Sequence, residues 1–170
     1  MDDGDREDFR AWVAARSGAL LRTATLLTGE RAAAEDLLQT ALARTYLAWG
    51  RIRRRDAVDA YCRRVMVTTY AGWWRRRWRG EVPTGRLPEV AAPDRIGTVA
   101  EGLALRAALD RLPRRMRAVV VLRYWEDLPE AEVADLLGCS VGTVKSQASR
   151  ALAKLRADVD VTALREEGAR

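Results

Sequence analysis

The chain has 170 residues, a formal net charge of +6 and a pI near 10.0. All of its basic residues except Lys145 and Lys154 are arginine, whose planar fork suits phosphates and base edges. Histidine is absent, which excludes His-based triads, His zinc sites and imidazole general bases.

Two cysteines, Cys62 and Cys139, lie too far apart for spacing to argue a disulfide, and two reduced thiols in a cytosolic protein are expected. The start, Met1-Asp2-Asp3-Gly4-Asp5, is acidic and lacks the apolar run of a secretory signal. No run of about 18 apolar residues exists to span a membrane. A cytoplasmic protein without membrane insertion is expected.

Alanine, leucine and arginine dominate, and no segment alternates with period two, so the expected fold is all-α. The first helix is expected over about Asp8 to Thr28, with Phe9, Trp12, Val13, Leu20, Ala24 and Leu27 on its apolar side and Gly29 as its stop. The second covers about Ala32 to Trp49, with Leu38, Leu42, Tyr46 and Trp49 on one stripe. Glu35 and Asp36 sit in its first turns, where the helix dipole favours acids. A basic loop, Gly50-Arg51-Ile52-Arg53-Arg54-Arg55, leads to Asp56 as N-cap of a third helix, about Ala57 to Arg79. Tyr61, Val65, Met66, Thr69 and Trp73 form its expected stripe, with Trp73 in the core.

Residues 80–97 hold Gly80, Pro83, Gly85, Pro88, Pro93 and Gly97 without helical period, the composition of a flexible linker. The expected domains are therefore 1–79 and 98–170, two small helical units. The second opens on a capping-box pattern, Thr98-Val99-Ala100-Glu101, with a helix to Leu112. Pro113 starts another to about Trp125. Pro129 begins a short helix over Glu130 to Leu137, ended by Gly138. Ser140 then caps a last helix to about Arg156, and residues 157–170 are expected to be frayed or weakly helical.

The stretch from Leu128 to Ser146 reads as a helix-turn-helix. Val133, Leu136 and Leu137 would bury its first helix, and Ala134 lets the second cross closely. Gly138 permits the left-handed turn, and Ser140 can accept a backbone N–H. Val144, Ala148 and Leu152 would face inward. Lys145, Ser146, Ser149 and Arg150 would face outward, with Thr143 and Gln147 beside them. Small hydroxyls mixed with cations suit a helix in the major groove. The competing reading is a helical hairpin of an unrelated bundle.

Arg51 to Arg79 carries ten arginines against two acids, Asp56 and Asp59, interleaved with tryptophans. Such a surface can hold phosphates and stack bases. Arg75, Arg76 and Arg77 also fit a solvated helix end. A basic aromatic helix can lie on an acidic membrane, which would need an apolar face not used for packing.

Together these segments resemble bacterial sigma factors of the sigma-70 family, in the compact extracytoplasmic-function (ECF) group. The resemblance covers about residues 8–156. Ala34-Glu35-Asp36-Leu37-Leu38-Gln39 resembles the helix that grips the β′ clamp of core RNA polymerase. Tyr61-Cys62-Arg63-Arg64-Val65 through Trp73-Trp74-Arg75-Arg76-Arg77 resembles the segment that melts promoters and reads the −10 element. Gly142-Thr143-Val144-Lys145-Ser146 with Arg150-Ala151 resembles the −35-reading helix.

The resemblance implies roles residue by residue. Glu35, Asp36 and Gln39 would bind core polymerase. Arg53, Arg54, Arg55, Tyr61, Arg63, Arg64, Trp73, Trp74, Arg75, Arg76 and Arg77 would contact the −10 strands. Thr143, Lys145, Ser146, Gln147, Ser149 and Arg150 would contact the −35 element. The implied partners are core polymerase, through its β′ clamp and β flap, promoter DNA and an anti-sigma protein. No catalytic residue, metal site or cofactor is implied. Thr68 stands where the family often has Asn, and Pro129 where Ser or Thr often caps. The alternatives are a stand-alone helix-turn-helix regulator with an N-terminal dimerisation or sensor unit, and a nucleic-acid hydrolase. The hydrolase needs clustered metal-binding carboxylates or histidines. The acids Glu126, Asp127, Glu130, Glu132 and Asp135 read instead as a solvated face.

Overall fold

The structure, a computed structural model, describes the backbone of residues 3–52, 57–78 and 99–167, and side chains within 3–52, 57–73 and 104–158. It divides into two compact units, residues 1–87 and 88–170. The expected linker, the Arg53–Asp56 part of the basic loop and the Thr98 cap lie outside the described residues. All regular elements among the described residues are helical.

The first unit is a three-helix layer. α1 (Asp3–Thr28) opens at Asp3, ahead of the expected Asp8, with Asp3 and Asp5 in its first turn. Acids there meet the positive end of the helix dipole, which extends the helix upstream of its apolar stripe. Gly29, at φ 75°, ends it in the left-handed region that glycine adopts without steric cost. The chain reverses in two residues into α2 (Arg31–Ala48). A 3-10 turn (Trp49–Arg51) then takes Trp49 out of the helix expected to contain it. α3 (Ala57–Trp78) completes the unit.

α2 packs against both α1 and α3. Ala24, Ala34 and Ala41 are fully buried, and such small side chains allow closely spaced helix axes. Leu27, Leu37, Val58, Cys62 and Met66 fill the space between. Phe9 meets Trp49 edge-on at 5.1 Å and Tyr46 at 5.0 Å, while Trp12 lies 5.8 Å from Trp49. Edge-to-face rings stabilise such a cluster beyond their buried area. Phe9, Trp12 and Val13 are nevertheless only half-buried, and Tyr46 is exposed. α1 and α3 run parallel, since Trp12 bonds Asp59 near their starts and the Tyr70 hydroxyl donates to the Leu27 carbonyl farther along.

The buried stripe of α3 differs from the expected one. Val58, Cys62, Met66 and Tyr70 recur every four residues, joined by Val67, Thr69 and Ala71. Tyr61, Val65 and Trp73 are half-buried. Their spacing is equally helical, but it belongs to the neighbouring face.

In the second unit, α4 (Val99–Arg111) leads through Pro113 to α5 (Arg114–Val120). A π turn (Val121–Trp125) follows, and the Glu126 amide reaches back to the Val121 carbonyl at 3.0 Å. Asp127, at φ 51°, turns the chain toward Leu128. α6 (Glu130–Leu137) and α7 (Val141–Glu167) complete the unit. Val119, Val121, Leu122, Val133 and Val144 are its most buried large side chains. α7 passes the expected end near Arg156 and includes residues expected to fray. The Asp158 carboxylate there accepts from Arg111 Nε of α4 at 3.0 Å, a contact no local pattern announces. No helix among the described residues is long and apolar enough to cross a membrane.

Arg117 is buried at 6 % exposure. Its Nε donates to the Leu109 carbonyl at 2.9 Å and Nη2 to the Asp110 carbonyl at 2.8 Å, while Nη1 lies 3.3 Å from the Asp110 carboxylate. It thereby brings charged donors to two carbonyls in the last turn of α4, that of Leu109 also accepting the Leu112 amide at 3.1 Å.

Candidate nucleic-acid interface

The turn between α6 and α7 is closed at both sides. Gly138 takes φ 64°, ψ 46°. The Cys139 amide bonds the Ala134 carbonyl at 3.0 Å and the Gly138 amide the Asp135 carbonyl at 3.4 Å. This pair of bonds is a Schellman motif, which gives partners to two carbonyls in the last turn of α6. Ser140 Oγ then accepts the Thr143 amide at 3.1 Å, capping the first turn of α7.

Val144, Ala148 and Ala151 pin α7 to the core, and Leu152 is half-buried rather than fully inward. Lys145, Ser146, Ser149 and Arg150 are exposed, with Thr143 and Gln147 half-buried beside them. All six expected residues thus share one accessible side at the start of one capped helix. The Ser146 hydroxyl donates to the Thr143 carbonyl at 3.0 Å, which turns its lone pairs outward. Lys145 Nζ lies 3.7 Å from the Glu130 carboxylate, with 64 % and 34 % of the two side chains exposed. So exposed a pair contributes under about 1 kcal/mol and yields to a phosphate.

In the first unit, Tyr61 and Arg63 are half-buried and Arg64 is exposed. Tyr61, Arg64, Val65 and Thr68 fall on one side of α3 by helical spacing. The Thr68 hydroxyl bonds the Arg64 carbonyl at 2.8 Å, so it is turned onto its own helix. Trp73 is half-buried toward the helix end. Arg53, Arg54 and Arg55 lie outside the described residues, as do the side chains of Trp74, Arg75, Arg76 and Arg77.

On α2, Asp36 and Gln39 are exposed while Leu37 and Leu38 between them are buried. Glu35 is half-buried and accepts Arg31 Nε at 2.8 Å. Leu47, not singled out from the sequence, is 75 % exposed and lies three turns beyond Asp36 on the same side. Its signal was a leucine off the Leu38–Leu42 stripe. Trp12, Arg16 and Asp59 form a second missed group. Asp59 Oδ1 accepts the Trp12 indole at 2.7 Å, and Oδ2 pairs with Arg16 Nη2.

Burial pushes the Cys62 thiol above its ordinary value, against smaller opposing effects of a hydrogen bond with Thr45 and the Arg63 charge. Burial also raises the Cys139 thiol, opposed by Arg115. Neither environment stabilises a reactive thiolate.

A chain of two helical units, one of which presents a cationic helix across a capped helix-turn-helix, falls in the class of transcription proteins that read DNA. Residues 102–155 match the family model described as Sigma-70, region 4. The chain is 46% identical over 169 residues to the RNA polymerase sigma-E factor of Streptomyces coelicolor, covering 96% of each. It is 33% identical over 153 residues to the ECF RNA polymerase sigma factor SigM of Mycobacterium tuberculosis, covering 89% of this chain and 77% of that one. Among solved structures, the sigma factor RpoE of Bartonella quintana, in complex with the anti-sigma factor NepR, superposes with TM-score 0.66 at 22% identity, covering 91% of this chain and 98% of that one. CnrH, in complex with the cytosolic domain of CnrY, gives 0.59 at 23%, covering 92% and 90%. Those two likenesses concern the fold.

The chain belongs to the sigma-70 family of RNA polymerase sigma factors, in its ECF group. It is a sigma factor, the DNA-recognition subunit that directs core RNA polymerase to promoters and begins transcription there.

Proposed function

We propose that the two units divide the work of promoter recognition, residues 98–170 reading the −35 element and residues 1–79 binding core polymerase and opening the −10 element. The observation that carries this is the accessible side of α7, where Lys145, Ser146, Ser149 and Arg150 follow a capped turn. Its short hydroxyls allow close approach to base edges, and its cations reach bases and phosphates. Thr143 and Gln147 flank them.

On α2, Asp36 and Gln39, with Glu35 beside them, face the β′ clamp, and exposed Leu47 adds an apolar contact to that surface. The β flap takes the second unit. On α3, Tyr61, Arg63, Arg64 and Trp73 hold the unpaired −10 strand. Arg53, Arg54, Arg55 and Trp74 to Arg77 contact the same strand. Taking bases out of the duplex costs a few kcal/mol, which stacking and phosphate contacts offset. Joining two weak DNA contacts through residues 80–97 raises effective concentration without any new contact. The chain carries out no chemistry itself, works in the cytoplasm and is held inactive by an anti-sigma protein, as the sigma factor RpoE is bound by the anti-sigma factor NepR.

Reconstituted transcription tests this. Purified core polymerase with the full chain should initiate at specific promoters, and Lys145→Ala with Arg150→Ala should abolish dependence on the −35 element. Tight binding to duplex DNA alone, with no association with core enzyme, would overturn it.

A further inference from the structure

Asp59 stands in the first turn of α3, two residues before Tyr61 and four before Arg63. Its carboxylate is turned across to α1, with 24 % of the side chain exposed. Both oxygens are engaged, one by the Trp12 indole N–H at 2.7 Å and the other by the Arg16 guanidinium. Trp12 and Arg16 lie one turn apart on α1, so a single helix face supplies both donors. Trp12 is itself held by Phe9 at 5.9 Å and Trp49 at 5.8 Å. The start of α3 is therefore tied to a part of α1 that the aromatic cluster has already fixed.

The position of this tie matters because α1 and α3 each pack mainly on α2. Another direct polar link between them, from the Tyr70 hydroxyl to the Leu27 carbonyl, is three turns farther along α3. Without Asp59, the first turns of α3 would lose this polar link to α1 just where Tyr61, Arg63 and Arg64 emerge. A binding surface that must be ordered at the moment of capture binds more weakly than one ordered beforehand.

We propose that Asp59, held by Trp12 and Arg16, is a positioning residue that presets Tyr61, Arg63 and Arg64 for capture of the unpaired −10 strand. The proposal rests on the reading of α3 as the strand-binding face. Asp59 does not touch the DNA in this role; it acts through the orientation of the helix start.

The test uses holoenzyme made from core polymerase and the full chain. Its probe is a fluorescent single-stranded oligonucleotide carrying the −10 element of a promoter that this holoenzyme transcribes. Asp59→Ala and Arg16→Ala should each weaken strand capture about fivefold to tenfold, the net effect of losing one partly exposed hydrogen bond. Core affinity and binding of −35 duplex should stay within about twofold, the range of a surface change. The double variant should be no worse than Asp59→Ala, and Arg16→Lys should recover capture relative to Arg16→Ala. If Asp59→Ala does not fold, Arg16→Ala carries the test, because the Arg16 side chain is 52 % exposed and its loss leaves no buried gap. Unchanged capture in these variants while Tyr61→Ala weakens it overturns the role of Asp59 and leaves the strand face standing. Unchanged capture in Tyr61→Ala as well overturns the strand face itself. A parallel loss of core affinity and capture would make Asp59 a purely structural residue, which also overturns the proposal.

Discussion

Arg117 donates from Nε to the carbonyl oxygen of Leu109 at 2.9 Å, so a buried cation of one helix closes the end of another. Arg117→Met would keep most of the volume but leave the Leu109 and Asp110 carbonyls without that partner. A loss of about 2 kcal/mol is expected in the second unit, from charged hydrogen bonds lost at a buried site. Arg117→Lys should recover only part, because an ammonium does not reproduce the planar fork. Amide hydrogen exchange across α4 and α5 measures this, and protection equal to wild type in Arg117→Met would refute it.

The turn that presents α7 makes a second prediction. Ser140→Ala removes the acceptor for the Thr143 amide, at a cost of about 1 kcal/mol. Gly138→Ala forces a side chain into φ 64° and should cost a similar amount, about 1 kcal/mol. Both should weaken binding to −35 duplex without altering core affinity. A thermal melt with unchanged midpoints would show that neither device holds the turn.

A third prediction concerns α2. Leu47→Ala should change stability by less than about 0.5 kcal/mol, as exposed positions do. Its effect on core affinity should be about fivefold, more than its stability cost and typical of a peripheral apolar contact. Asp36→Ala with Gln39→Ala should also weaken core binding and leave the fold intact. Binding to immobilised core enzyme reads both, and wild-type affinity would remove these residues from the interface.

Much of this could be read from the residues alone, and the departures have physical causes. α6 and the start of α7 were legible because proline, glycine and a capping serine all act locally. The face of α3 was not, because Tyr61, Val65 and Trp73 repeat with the same period as Val58, Cys62 and Met66. Periodicity finds a stripe but does not choose between two adjacent apolar ones. Arg117 was invisible because its partners belong to the preceding helix, and a charge in sequence reads as surface. The length of α7 was missed for a similar reason, since Asp158 finds Arg111 across 47 positions. Asp59 looked like one of two acids diluting a basic segment, and only the fold shows Trp12 and Arg16 beside it.

The Cys62 thiol gives a pH prediction. Its ordinary value is 9.0 and burial raises it in the folded chain, so folding favours the protonated form. That contribution is complete below about pH 9 and is lost as pH rises from there through the higher folded value. Cys62→Ala should therefore lose stability less steeply than wild type above about pH 9. Alkylation should reach half-buried Cys139 first and Cys62 only as the first unit opens. Equal reaction rates for the two thiols would contradict this.

α7 is held at its start by the Schellman turn and along its recognition segment by buried Val144, Ala148 and Ala151, so its recognition side chains ride on a stiff rod rather than a hinged one. A stiff reader cannot tilt to rescue a poor match at one base by improving its fit at another. Promoter variants should then be ranked by independent penalties, position by position, of about 1–3 kcal/mol for each mismatched pair. The set of promoters served by this chain would be describable by a simple additive score, with sequence tolerance set by individual side chains and not by play in the helix that carries them.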